Sequence, residues 1–361
     1  MKKTLSMILA LCIALALLSG CGTQLTASQP TEAPSAADPA GAPAAADTGY
    51  DVSALEPITF KFAYGTSSEL TDKAHEMAAD RIEELSNGKI TVERYLQGQL
   101  YTADADGAIM VSDGTCQMII MGDMMALNAA PEICGWTQVP FIFDSPEQCT
   151  AFWQQVGAAV NEKLSEVYGV RALWDSIELR GPRVICANKP MLCADDFKGT
   201  KFRLPSTAAT VAAFEAMGVS ALTSSWSEVY QVMQTGIAEA VESPLSNFKS
   251  ISIYEVCKYC MQTNHTYAFR AAHVNEAWWD GLAPVYQDII KQALSEAFTW
   301  YTEQELSGDD AILELFAENG MTVYRRDEID IDSIKSVATE AIIEKYKDSW
   351  DMSYYELIQN L

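Results

Sequence analysis

From Ile58 to about Glu305, strand-like and helix-like runs follow one another in regular alternation, and few architectures accommodate that order. Ile58 to Tyr64 alternates as a strand, Thr71 to Leu85 carries apolar residues at helical spacing, Asn87-Gly88 signals a turn, and Ile90 to Tyr95 reads as the next strand. The unit repeats with a helix near Ala103 to Ser112, a strand from Cys116 to Met121 and a long helix around Pro146 to Tyr168. Separate strands are expected near Val170 to Trp174, Arg183 to Ala187 and Lys201 to Leu204. Helices from Thr207 to Met217 and Ser227 to Thr235 are each closed by a glycine, Gly218 and Gly236. Strands near Ala238 to Val241 and Tyr267 to Val274, a helical region from Pro284 to Glu305 and polar terminal helices complete the series. Such alternation predicts an α/β fold with largely parallel sheets, and ligands of such folds bind at the carboxyl ends of the strands.

The chain opens differently. Lys2 and Lys3 precede an apolar run from Leu5 to Leu18 that ends in small residues, the pattern of a signal peptide. At roughly fifteen residues the run falls short of the ~20 that a helix needs to cross a bilayer. Leu18-Ser19-Gly20-Cys21 resembles the bacterial lipobox, which makes Cys21 the lipidated first residue after cleavage and places the remainder outside the cytoplasmic membrane. From Gly22 to about Pro57, Ala, Pro, Thr, Ser and Gly dominate, a composition unable to bury enough surface to fold, so residues 21–57 read as a lipidated tether after a 1–20 signal. About three hundred residues remain, more than one core usually serves, and two lobes are expected.

A formal charge of −25 and the lack of a basic run argue against nucleic acid or an anionic membrane surface as partner. That field also repels anions at long range, so a site for an anionic ligand must concentrate positive charge, and arginines are the residues to look for. Of nine cysteines, Cys12 and Cys21 fall in the signal and at the anchor, and the other seven cannot all pair within one chain. Cys257-Lys-Tyr-Cys260 invites a redox or zinc reading, but no second cysteine pair or histidine lies at ligand spacing, and His75, His265 and His273 are scattered. Neither metal nor cofactor is expected. No Gly-x-Ser-x-Gly or His-Glu-x-x-His is present, so an exported hydrolase finds no support.

An ordered set of short motifs then gives the chain a family resemblance. They are Gly98-Gln-Leu100, Val139-Pro-Phe-Ile-Phe143, Gly181-Pro-Arg183, Lys198-Gly-Thr-Lys-Phe-Arg-Leu-Pro205, Trp226-Ser-Glu-Val-Tyr230, Glu242-Ser-Pro-Leu245, Tyr254-Glu-Val256 and Thr263-Asn-His265, followed by Asn275 and Trp278. In order and spacing they resemble the substrate-binding subunits of tripartite ATP-independent periplasmic (TRAP) transporters of the DctP type. The resemblance implies a two-lobed, periplasmic-binding-protein-like clamp: two mixed β-sheets flanked by helices, with the ligand cleft between. Residues 58–180 with about 267–305 would form one lobe, and 181–266 with about 306–361 the other.

The resemblance further implies that a ligand carboxylate pairs with Arg203, with Arg183 as a second site arginine and Trp226 as an aromatic wall. Arg203 has support of its own, because an arginine inside an apolar strand-like run must find an anion when buried, and its planar fork matches a carboxylate. That anion is either a ligand or an internal acidic residue. Arg180, three residues from Arg183, competes with it for the second role. Ser243 stands where the family commonly has asparagine, and Glu239-Ala240 replaces its Asp-Gly, which bears on the substrate more than on the fold. In the first lobe, Tyr64, Thr66, Ser67 and Asp123 follow strands and offer hydrogen bonds to the cleft. The function implied is capture of a small carboxylate and delivery to TRAP membrane subunits, without chemistry. Clamp physics alone also fits a binding protein of an ATP-driven importer or one presenting its ligand to a membrane sensor.

Overall fold

A computed structural model describes residues 49–65, 68–96, 98–205 and 207–361. The expected signal peptide, Cys21 and most of the tether lie outside these residues, as do Thr66 and Ser67.

Strand β1 (Ile58–Tyr64) leads into helix α1 (Glu69–Leu85), where the Ser68 side chain accepts the Thr71 N–H as an N-cap. β2 (Ile90–Tyr95), α2 (Asp104–Ser112) and β3 (Met118–Met121) follow. Two short helices, α3 (Met124–Ala129) and α4 (Pro131–Cys134), precede α5 (Pro146–Tyr168). Ser145 caps α5, Pro146 occupies its first turn, and Gly169 closes it at φ 62°, a left-handed conformation that glycine adopts without strain. Next come β4 (Val170–Ala187), β5 (Lys201–Leu204), α6 (Ala208–Ala216), β6 (Ser220–Thr223) and α7 (Val229–Gln234). β7 (Ala240–Pro244), α8 (Leu245–Ser250), β8 (Tyr259–Met261) and β9 (Tyr267–Asn275) follow. The chain ends with α9 (Glu276–Asp280), α10 (Pro284–Ser307), α11 (Asp309–Glu318), β10 (Thr322–Tyr324), α12 (Ile331–Tyr346) and α13 (Met352–Gln359).

One strand belongs to both sheets. The first half of β4 pairs antiparallel with β9 in the first sheet, ordered β2-β1-β3-β9-β4. Its second half pairs antiparallel with β7 and β8 in the second sheet, where β5 lies parallel to β7 and β6. The strands expected separately at Val170 to Trp174 and Arg183 to Ala187 are therefore one strand of 18 residues. Asp175-Ser176 and Gly181-Pro182 interrupt the apolar pattern, and the strand absorbs them as register shifts between Ala172 and Ile177 and between Leu179 and Pro182. Among the described residues five strand pairings are parallel and four antiparallel, so the sheets are mixed, not largely parallel. β9 inserts antiparallel between β3 and β4 in the first sheet, and in the second β4 runs antiparallel to β7 and β8.

Alternation along β1 sends Phe60 and Phe62 to one face, where Ile82 of α1 and Ile289 and Phe298 of α10 cover them. The other face carries Ala63, Ile119 and Met121 against Phe152 and Trp153 of α5. A separate cluster under the second sheet joins Val184, Val241, Phe248 and Phe316. Full burial of each such side chain contributes about 1.5–3 kcal/mol. The C-terminal segment does not stay with the second sheet: α12 packs on α6, whereas α13 contacts α5. Gln148 Nε2 donates to Ile358 O at 2.8 Å, and Trp136 Nε1 donates to Asp351 O at 2.9 Å. Residues 306–361 thus touch both α6, which follows β5, and α5, which precedes β4.

Candidate functional site

β5, β6 and β7 run parallel, so their carboxyl ends, at Leu204, Thr223 and Pro244, emerge on one edge of the second sheet. Arg203, opposite Leu222 and Val241 in register, delivers its guanidinium to that edge. It is 4% exposed. Its Nη2 donates to Ser224 O and its Nε to Ser224 Oγ at 3.4 Å, both just past the end of β6. The Trp226 ring lies beside it, with Cζ 5.9 Å from the ring centroid, within cation–π range. Trp226, half-buried, is held at the start of a short 3-10 turn whose Ser225 and Glu228 cap one another. Among the described residues no carboxylate oxygen lies within 4.0 Å of Arg203. Burial pushes its pKa down; Glu242 opposes this, Arg183 adds to it, and Glu228 opposes it more weakly.

Arg183, at a β4 position opposite Pro244, has the contrary environment. Its Nη2 donates to Glu242 Oε1 at 2.6 Å and its Nε to Glu242 Oε2, a two-pronged ion pair with a carboxylate that is fully buried. His265 Nε2 lies 3.4 Å from Glu242 Oε2, and Thr263 Oγ1 lies 2.8 Å from His265 Nδ1. Burial works against the Glu242 charge, but Arg183 and His265 outweigh it and hold the carboxyl down at about 2. Among the described residues Arg180 meets no such partner. Its Nη2 donates to Asn247 Oδ1 at 2.8 Å, its buried Nε has none, and Asn247 Nδ2 in turn donates to Ser243 Oγ at 3.0 Å.

A cavity of about 170 Å³ is lined by Asp123, Thr137, Gln138, Arg183, Pro205, Thr207, Thr210 and residues 266–269. Pro205 and Thr207 continue directly from the strand that carries Arg203, and Asp123 follows β3 of the first sheet, so the cavity joins strand ends of both sheets. Thr137 Oγ1 and Gln138 Nε2 donate to Asp123 Oδ2, the former at 3.5 Å. Burial pushes the Asp123 carboxyl up to about 6. A larger groove, about 620 Å³, runs between the first turn of α1, α8 and the end of α10, with Lys73, Lys249, Trp300 and Glu305 on its walls.

The residues singled out in the sequence thus fall into groups. Arg203 and Trp226 are brought together, and Arg183 and Asp123 share a cavity. Ser243 is 1% exposed and engaged by Asn247. Tyr64 is buried in the core, its hydroxyl donating to Asp72 Oδ1 at 2.7 Å and its ring edge-on to His75. Ser67 and Cys21 lie outside the described residues. Sequence reasoning missed Ser224, which follows an edge strand too polar to read as one. It also missed the buried cluster in which Glu178 accepts from Arg270 and lies 2.8 Å from His75 Nε2, while Arg270 Nη2 donates to Thr71 Oγ1 at 2.9 Å.

Known proteins resemble this one in sequence and in fold. The C4-dicarboxylate-binding periplasmic protein DctP of Rhodobacter capsulatus is 29% identical over 276 residues, 74% of this chain and 80% of that one. The sialic acid-binding periplasmic protein SiaP of Vibrio cholerae serotype O1 is 27% identical over 257 residues, 68% and 76% of the two chains. A TRAP periplasmic solute binding protein from Ochrobactrum anthropi superposes with a TM-score of 0.76 at 23% identity, covering 84% of this chain and 94% of the other. Another, from Sulfurospirillum deleyianum with bound succinate, gives 0.70 at 24% identity, covering 84% and 99%. These share the two-lobed clamp. The model of the bacterial extracellular solute-binding proteins, family 7 (DctP), matches residues 63–349, and the chain belongs to that family.

Proposed function

We propose that the protein captures a small organic acid outside the cytoplasmic membrane, holds its carboxylate by an ion pair with Arg203, and passes it to TRAP membrane subunits. The observation that carries this reading is the buried Arg203 guanidinium, set at the carboxyl ends of three parallel strands with no carboxylate within 4.0 Å among the described residues. A desolvated charge left uncompensated is destabilising, and a ligand carboxylate supplies both the opposite charge and the bidentate acceptors that the fork fits. Trp226 then forms a flat apolar wall, and Asp123 and Arg183, which line the cavity past the end of β5, position the remainder of the ligand. The named relatives that bind C4-dicarboxylate and sialic acid, and the solved neighbour with bound succinate, support a carboxylate as the ligand class.

Closure of the lobes requires only that the ligand bind the closed form more tightly than the open one. Anchoring through a lipid on Cys21 keeps the loaded protein beside the transporter; two or more acyl chains hold where a single one is marginal. A thermal-melting screen against organic acids and their neutral amides tests the reading. One acid is expected to raise the melting temperature with increasing concentration while its amide does not, and Arg203→Ala is expected to abolish the response. Equal stabilisation by neutral analogues in both proteins would sink it.

A further inference from the structure

Three cysteines meet in the core of the second sheet, and the site above uses none of them. Cys186 of β4, Cys260 of β8 and Cys257, just before β8, are all buried in the cluster that includes Val184, Val241 and Phe316. Cys186 and Cys260 lie directly opposite one another in the antiparallel β4/β8 register, so their side chains share a face. The kind of pair they form follows from the neighbouring strand. Asn188 N–H donates to Glu239 O on the β7 side, and backbone groups alternate direction along a strand, so Cys186, two residues earlier, also directs its amide groups to β7. Facing β8 it forms a non-hydrogen-bonded pair, in which Cα atoms stand about 4.5 Å apart and side chains are closest, inside the roughly 4.4–6.8 Å span of disulfides. Cys257 lies outside both strands and faces no cysteine in register.

We infer that Cys186 and Cys260 are the site of an intrachain disulfide formed during folding outside the cytoplasm. The oxidant is a small or protein disulfide. The Cys186 thiolate attacks one of its sulfurs and releases the first thiolate; the Cys260 thiolate then attacks the resulting mixed disulfide at the Cys186 sulfur and releases the second. Two protons leave the cysteines and two electrons reduce the oxidant to two thiols. Burial pushes the Cys186 thiol up in the folded protein, so exchange belongs to the unfolded chain and the finished bond is shielded from reductant. Cys186 stands three residues beyond Arg183, and β8 leads to Thr263 and to His265, which Thr263 contacts and which meets Glu242 beside Arg183. The link therefore staples the two strands that hold this ion-pair network, and it leaves five of the seven cysteines that follow Cys21 as thiols.

The test is to refold the reduced, full chain from denaturant in oxidised or in reduced glutathione, alkylate the remaining thiols without reductant, and map peptides by mass spectrometry. A linked Cys186–Cys260 peptide pair is expected as the main product in oxidised glutathione, unchanged in Cys257→Ser and absent in Cys260→Ser. The oxidised protein is expected to melt about 5 °C above the reduced one. Alkylation of all the thiols, or a main product joining Cys257 to either of the others, would overturn the inference, and mapping the wild-type chain gives that answer whether or not the variants fold.

Discussion

Glu242 is a buried acid whose charge is held in place by Arg183 and His265, and that makes it a sensor of acid denaturation. Its pKa falls from 4.5 to about 2 on folding, so between these values the unfolded chain binds the proton more readily than the native one. The stability it contributes is fully present above about pH 4.5 and is lost as pH falls toward 2. At about 1.4 kcal/mol per unit the pair accounts for roughly 3 kcal/mol. Glu242→Gln is expected to lower stability at pH 7 by about 3 kcal/mol and to flatten the decline between pH 5 and 2, both read from thermal melts across pH. An unchanged acid limb would show that Arg183 does not depend on this carboxylate. At this scale the sequence was uneven as a guide. Arg203 stood out as an arginine in an apolar strand before a proline. Its neighbour Ser224 had no comparable signal, and the partners of Glu178 are separated from it by 103 and 92 residues, a distance that no local pattern bridges.

Among the elements, the passage of β4 between the sheets is where motion between the lobes would concentrate. Gly181 sits at its second register shift, and a Cβ there would lie 3.4 Å from Asp309 Oδ1 and 3.6 Å from Glu305 Oε1. Burial, with Glu305 and Asp310 adding repulsion, pushes Asp309 up to about 7. Here the native state keeps a proton that the unfolded chain loses, so stability falls as pH rises from about 4 to 7. Asp309→Asn is expected to melt above the wild type at pH 8, with the gap closing toward pH 4; equal melting temperatures at both pH values would contradict this. The C-terminal segment gives a second prediction at this scale. A Cβ on Gly135 would come within 2.3 Å of the Trp350 ring, which packs edge-on against Trp136. Gly135→Ala is expected to destabilise by about 1–3 kcal/mol in denaturant titrations, and a neutral outcome would mean that the segment shifts freely. Long periodic elements such as α1, α5 and α10 were legible from spacing. β8 and β10, three residues each, were too short to show a period, and β4 was concealed by Gly181-Pro182, whose punctuation the fold absorbs as a bulge.

For the molecule as a whole, family membership makes it an extracytoplasmic solute-binding protein, and the proposed lipid anchor on Cys21 is tested by fractionation. Cys21→Ser is expected to move it from the membrane fraction to the soluble extracytoplasmic fraction; retention in the membrane would assign anchoring to another segment. The two-lobed plan was expected from chain length and from the ordered motifs, while the sharing of β4 between the sheets and the packing of the C-terminal segment on both α5 and α6 depend on contacts far apart in sequence. Binding of a carboxylate by the planar fork of Arg203 is read by calorimetric titration with the acid identified by thermal screening. With Arg203→Ala the account predicts a loss of about 2–5 kcal/mol in binding, at least about thirtyfold in Kd, and with Arg203→Lys a substantial part of that loss despite the conserved charge. Kd values equal to wild type in both variants would contradict it.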